Sequence, residues 1–359
     1  VISLNIENVV DVQISVSQVV ASATRFGHML IVCPYPKTPG SATVPAVTAY
    51  SVASITEEIK TAGFGESDPV YNAVQMLLKA KRLSDIVYIA VRQNTTDSVE
   101  DIALTMQRAF DYTSDFWAIC PVGLTAPDVQ KISEIVETQK TNGSGFALIA
   151  GTTCVSDLPI TGQPTRSHAM HQTQESDCAN IGLAAACLPY APGEETWQFK
   201  SIPGLAEQRL TSSEISAMEE NNTGYYAALF GNECSMGGRM CDGEYIDTVR
   251  FKDWLVENIA RKIVALFVAN AKVPYTDDGI AQVQAQIIKA LEEGREAGGI
   301  ADDEIQSDGS TLRGYTVTVP KASDLTSEQR QKRVLEGITF TARLSGAIHK
   351  TVIRGSLTA

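Results

Sequence analysis

The sequence predicts an α/β protein: a mainly parallel sheet flanked by helices, followed by a C-terminal α+β domain, with extended β-strand arms at both termini. Three observations carry this reading. From Phe26 to Ala150, short apolar runs alternate with amphipathic helical segments, the pattern of a parallel sheet covered on both faces. Asp242 to Ile300 carries two helical stripes around a corner at Pro274. Both ends of the chain alternate apolar and polar residues with period two, as strands with one apolar face do.

At the N-terminus, Ile2, Leu4, Ile6, Val10, Val12, Ile14, Val16 and Val20 occupy even positions, with a break near Glu7-Asn8 that predicts two short strands. Buried strands are expected at Met29 to Cys33, Ile86 to Val91, Phe116 to Val122 and Phe146 to Ala150. Between them the spacing predicts a helix opened by Asp68-Pro69, a helix from Thr95 to Phe110 with Val99, Ile102, Ala103, Met106 and Phe110 facing in, and another from Ala126 to Lys140. From Cys154 to Gly204 prolines and glycines blur the pattern, apart from a helix at Asp177 to Cys187. A short helix at Ser212 to Glu219 and a hairpin from Tyr225 to Met240 follow.

In the first long helix, Ile246, Val249, Ile259, Ile263, Val264, Leu266 and Phe267 form an apolar face, while Arg250, Lys252, Asp253, Glu257, Arg261 and Lys262 are expected to face water. Tyr275-Thr276-Asp277-Asp278-Gly279 supplies capping oxygens for the second, whose stripe of Ile280, Val283, Ile287, Ile288 and Leu291 ends near Gly294 to Gly299. A strand at Tyr315 to Val319 and a short helix or turn at Ser323 to Lys332 lead to the last segment. There Ile338, Phe340, Ala342, Leu344 and Ile348 share one face, and Val352 and Ile353 continue the extended run. The expected division is a strand arm over 1–22, an α/β domain over 23–204 with room for an inserted outer subdomain, an α+β domain over 205–335 and a second arm over 336–359.

Composition narrows the class of function. Of 359 residues, 44% are hydrophobic and 20% charged, the profile of a globular chain large enough for two cores. The net charge of -13 repels phosphate backbones and anionic lipid, which argues against nucleic acid as a direct partner. No apolar run approaches the roughly 20 residues that span a bilayer, and the N-terminus lacks signal-peptide order, so no membrane insertion is expected. Seven scattered cysteines suggest a reducing cytosol.

A parallel α/β sheet also raises the possibility of an enzyme, because such sheets place active sites at strand ends. No Gly-x4-Gly-Lys-Ser/Thr loop is present, and Gly143-Ser144-Gly145 precedes a strand where a nucleotide loop would follow one. His168, His171 and Cys178 lie in a polar stretch without a fourth metal ligand at familiar spacing. Cys234 and Cys241 flank a glycine turn and read as free thiols; Asp277-Asp278-Gly279 lacks the remaining ligands of a calcium loop; Asp302-Asp303-Glu304 reads as a solvated acidic turn. No catalytic residue, cofactor or metal site is expected.

Three ordered motifs stand out: Gly243-Glu244-Tyr245-Ile246-Asp247, Asp253-Trp254-Leu255, and Val273-Pro274-Tyr275-Thr276-Asp277-Asp278-Gly279-Ile280. Over roughly Gly231 to Ile300, and on to the C-terminus, they resemble the C-terminal half of tail sheath proteins from contractile bacteriophages, especially the shorter sheath-like phage family. The resemblance implies a structural subunit with no enzymatic activity. Its partners would be further copies in stacked hexameric rings, the tail tube protein, and the baseplate and tail terminator proteins. It would belong to the virion tail, assembled in the host bacterial cytoplasm. Trp254 would be a core or groove anchor. On pattern alone, terminal strands pair within their own domain; the resemblance implies instead that both arms complete sheets of neighbouring subunits. The inter-subunit contacts would be Leu4, Ile6, Val10, Val12, Ile14 and Val16 in the first arm, and Ile338, Phe340, Ala342, Leu344, Ile348 and Val352 in the second. The alternatives are a cytosolic α/β enzyme or nucleotide-binding protein, and the sheath of a bacterial injection system or phage-tail bacteriocin.

Overall fold

Met29–Pro34 (β1), almost wholly apolar, has nothing to offer water, and in the computed structural model it is buried along nearly its whole length at the centre of a sheet. The structure describes residues 25–37, 44–94, 99–139, 145–156 and 158–354. The expected N-terminal arm lies outside them.

Six strands make the main sheet: β1, then Val47–Ser51 (β2), Ile86–Arg92 (β3), Ala118–Pro121 (β4), Ala147–Thr152 (β5) and Ser167–His171 (β6), in the spatial order β2-β3-β1-β4-β5-β6. All pairings are parallel except β2 with β3. The period-two rule is visible within β1, where Met29, Ile31 and Cys33 join one core and Leu30 and Val32 the other. On the first face lie Ile55–Thr61 (α1), Pro69–Leu77 (α2) and, after two further helices, Ala179–Cys187 (α5); on the second lie Ile102–Tyr112 (α3) and Ala126–Thr138 (α4).

Caps set several helix boundaries. Proline is tolerated as the first residue of α2, where its missing N–H costs no bond. In α4, Thr125 and Asp128 form a reciprocal capping box. The helix expected from Thr95 begins only at Ile102, because the Asp101 carboxylate caps it by accepting from Ala103 N at 2.9 Å. Val99, expected to face inward, precedes that cap, bridges to Asn94 and is 58% exposed.

The blurred region closes the sheet. β6, Ser-His-Ala-Met-His, is buried at every residue although its sequence reads as a polar loop. Its outer edge is satisfied by chain from farther on: His171 N donates to Gly224 O, Gly224 N to Ala169 O and Cys241 N to Ser167 O, at 2.7–2.8 Å. Ser212–Glu220 (α6) and the hairpin Tyr225–Leu229 (β7) with Asn232–Met236 (β8) follow. Trp197, Leu205, Tyr226, Met240 and Ile246 all bury in the first core, so the chain through Ile246 packs with the sheet.

Ile246–Ala269 (α7) and Asp277–Glu296 (α8) build the next core around Phe251, Leu255, Val283, Ile287 and Leu291. Thr276 caps α8 by accepting from Gly279 N, and Gly294 O receives the N–H groups of Gly299 and Ile300 at its end. Glu304–Ile305 (β9) pairs with Thr311–Leu312 (β10), so the acidic turn expected at Asp302-Asp303-Glu304 leads into a short hairpin. Tyr315–Thr318 (β11) pairs antiparallel with Thr339–Ala342 (β12) across Ser327–Lys332 (α9). The extended run expected onward to Ile353 is therefore a strand for four residues only. Beyond it, Gly346 at φ +66° turns the backbone out of the extended region.

Two of the charges assigned to water in α7 are corrected. Arg250 and Asp253 are 0% exposed, because they face the first domain and find partners there.

Candidate assembly surface

α7 joins the two cores through its buried charges. Arg166 donates from both terminal nitrogens to Asp253, at 2.5 and 2.9 Å, and Trp117 Nε1 donates to the same carboxylate at 2.8 Å. One turn earlier Arg250 pairs with Glu195 and donates through Nη2 to Phe26 O, Leu188 O and Tyr190 O. Arg25 pairs with Glu257 at 2.6 Å. A carboxylate and a guanidinium on one helix are thus locked to an aromatic and backbone framework more than 50 residues away in sequence, which orients the C-terminal domain on the sheet.

The far half of α7 is different. Val264, Phe267 and Val268, of which the first two were expected to face inward, are 59%, 53% and 82% exposed. Phe267 lines a groove of about 940 Å³ between α7, α8 and the 330–338 segment, floored by Ile263, Val273, Ile280 and Val283, with Lys272, Arg330 and Arg333 at its rim. Among the described residues those three are the only charged ones in its lining, so the groove is basic on a chain of net charge -13.

The predicted contact residues of the second arm divide. Ile338 and Ala342 are half-buried against the C-terminal core. Phe340, Leu344, Ile348 and Val352 are 42%, 49%, 86% and 72% exposed, with Leu344 bridged to Ile300. Leu4, Ile6, Val10, Val12, Ile14 and Val16 lie outside the described residues. Among the described residues β11 and β12 pair only with each other, leaving each a free edge. Trp254 stacks on Phe251 with ring centroids 5.6 Å apart, as an anchor between the cores.

At the sheet's strand ends, where α/β enzymes bind ligands, there is a cleft of about 200 Å³. Two of its polar side chains are committed: Gln172 Oε1 accepts from Ala179 N at the start of α5, and Asn180 Nδ2 donates to Pro121 O and Ile149 O. His168 and His171, expected in a loop, are buried on β6, with Nδ1 of each engaged by Arg239 O and Gln208 Oε1 respectively. Burial pushes the His168 imidazole down to about 4, against the opposing bond to Arg239. All seven cysteines are free thiols; Cys154 is exposed and the others are buried. Among the described residues no group of three His, Cys, Asp or Glu side chains is placed to hold a metal ion, and no helix is long and apolar enough to cross a membrane.

The sheet, the docked helical pair and the paired C-terminal hairpin together have the fold of contractile sheath proteins. The chain is similar to a chain of the anti-feeding prophage baseplate at 13% identity over 94% of both chains, with a TM-score of 0.70. It is similar to the anti-feeding prophage helical sheath in the contracted state at 13% identity over 91% of this chain and 92% of that one, TM-score 0.67. The sheath tail protein of Desulfitobacterium hafniense matches at 10% identity over 86% and 94%, TM-score 0.57. No curated protein sequence matches the chain. Residues 246–356 match the family model described as E217 tail sheath protein gp31-like, C-terminal domain. That stretch begins at the first residue of α7 and contains the groove, the hairpin and the exposed arm residues.

Proposed function

We propose that this protein is the structural, non-enzymatic subunit of a contractile sheath. It would polymerise as stacked hexameric rings around an inner tube and be linked to its neighbours by exchanged β-strands. One observation carries the reading: within the region that matches a tail sheath domain, an apolar groove with a basic rim lies beside a hairpin with free edges. Such a surface suits an extended segment whose backbone completes a sheet and whose alternate side chains fill a groove. The first arm fits that description, since its alternate apolar residues are accompanied by no charged side chains but Glu7 and Asp11. Contraction would then be a rigid-body rotation of subunits into better interfaces, driving the tube through a host envelope without nucleotide. The buried α7 seam is suited to transmit such motion.

The domain match favours a phage tail, and the whole-chain likeness to anti-feeding prophage proteins favours the sheath of an injection system as the second reading. Both predict the same assembly, with baseplate, tube and terminator proteins as partners. The test is electron microscopy of the full chain beside variants lacking residues 1–22 or 351–359. The cut at 351 spares Ile338 and Ala342, which belong to the core. Tubes or stacked sixfold rings from the full chain, lost in both folded truncations, are expected. Discrete particles from all three, even with tube protein added, would overturn the proposal.

A further inference from the structure

The C-terminal segment leaves β12 but does not leave the molecule at once. Arg343 N donates to Gly314 O and Ser345 N to Gly299 O, while Ala301 N donates back to Arg343 O. The Ser345 hydroxyl donates to Gly298 O. Four residues on, in a run where Ile348, Lys350, Thr351, Val352 and Ile353 are exposed, His349 alone is half-buried. Its Nε2 lies 2.9 Å from Thr196 Oγ1, and its ring meets Phe199 and Tyr245 edge-on at 5.9 and 5.1 Å. Tyr245 is itself fixed by Arg239, which stacks 3.9 Å over the ring and donates to its hydroxyl at 2.5 Å. Between these anchors, Leu344 to Ala347 roof a small cavity of about 50 Å³ lined by Gly193, Glu195, Asp247 and Gly299.

These contacts tie the last element of the C-terminal domain to the loop that follows α5 in the sheet domain, so they cross the same seam as α7. We propose that Thr196, Phe199 and Tyr245 form a docking site for this chain's own C-terminal segment, and that His349 is the clasp fixing where the arm leaves its subunit. Exchange between subunits then begins at Lys350, and residues through His349 stay on their own body in the assembled as in the free chain. Ile348 stands 86% exposed beside the clasp, held at a defined place for a neighbour to contact. The clasp rests on the sheath reading only for its consequence in assembly; its existence in the free chain does not.

Two measurements on the full chain test it. In the unassembled protein, His349→Ala removes two edge-on aromatic contacts and a hydrogen bond, and the Ser345 amide should exchange with deuterium at least roughly tenfold faster, with α7 amides unchanged. An unchanged Ser345 rate would overturn the clasp. In a Cys154→Ser background, Gln198→Cys with Lys350→Cys places thiols on either side of the contact for closure by a bis-maleimide. The cross-linked chain should assemble as well as the open one. Assembly by the open variant but not by the cross-linked one would show that the segment must leave its body, and would overturn the exit point. If the unmodified chain does not assemble at all, the sheath reading fails, while the exchange measurement still decides the clasp.

Discussion

Arg166 and Asp253 meet end-on in a buried bidentate pair, the carboxylate 0% and the guanidinium 7% exposed, and the indole N–H of Trp117 fills a further acceptor site on the same carboxylate. Burial raises the carboxyl, and the bonds from Arg166 and Trp117 oppose that rise. The pair joins the residue just before the edge strand β6 to α7, so it fixes the helical pair on the sheet.

Removing one partner strands a buried charge. Asp253→Ala should therefore cost about 3–5 kcal/mol, whereas the double replacement Arg166→Met, Asp253→Leu should recover much of that loss. Denaturant unfolding of the three variants against the parent checks both. A single variant within 1 kcal/mol of the parent would mean that the seam does not depend on this pair.

Glycine lets the two domains touch backbone to backbone at a second point of the seam. Gly193 sits at φ +105°, and a Cβ there would meet Gly299 N at 2.9 Å and Phe251 Cδ2 at 3.2 Å. Gly309 has a similar φ of +80° in open space. Gly193→Ala should cost about 2–4 kcal/mol, through both strain and contact, and Gly309→Ala about 1 kcal/mol through strain alone. Thermal unfolding of both variants separates the two costs; equal shifts would remove the case for close packing at Gly193.

What the sequence disclosed, and what it concealed, follows from the range of the interactions involved. β1, β3, β4 and β5 are apolar runs whose burial is decided locally, and they fall where periodicity puts them. β6 hides because the Nδ1 atoms of its histidines are engaged by Arg239 O and Gln208, 71 and 37 residues away. β2 hides because, as an edge strand, it buries only Tyr50. The amphipathic rule sends Arg250 and Asp253 to water, since their partners Glu195 and Arg166 are 55 and 87 residues distant. The family motifs mix the two ranges: Asp253 is the seam residue with distant partners, whereas Thr276 is the cap of α8 and a Cβ at Gly279 would strike Pro274 O at 2.0 Å, both local reasons. Of the candidate surface, the alternation placed β12, while the first arm lies outside the described residues. The groove needs α7, α8 and the 330–338 segment together, and no single stretch reveals it.

The buried imidazole of His168 makes stability depend on pH. Its Nε2 finds no hydrogen-bond partner among the described residues, and a Cβ at Gly224 would stand 2.9 Å from it. With a folded value of about 4 against an ordinary 6.5, the unfolded chain takes up the proton first as pH falls. The stabilisation is thus complete above pH 6.5 and declines down to about 4, a loss of about 3 kcal/mol from this one group. His168→Asn keeps a donor for Arg239 O and does not titrate. The difference in unfolding free energy between pH 7 and pH 4.5 should shrink in the variant by about 2–3 kcal/mol, and an identical pH dependence would place the titrating groups elsewhere.

Exposed apolar residues on a long helix have a cost in water that an assembly can recover. Val268 and Phe267 contribute nothing to either core, being 82% and 53% exposed, and Phe267 lines the groove of the candidate surface. Replacing both with Gln should leave the free chain within about 0.5 kcal/mol of its parent stability, as surface substitutions usually do. In an interface, however, each buried side chain of this size is worth about 1.5–3 kcal/mol. The critical concentration for assembly should therefore rise by at least about tenfold per residue, which sedimentation of polymer against free subunit reads directly. If the variant unfolds at lower denaturant than the parent, the patch is structural within one chain. If it is equally stable and polymerises at the parent's critical concentration, this face of α7 points away from neighbouring subunits, and the contacts must be sought on the free edges of β11 and β12.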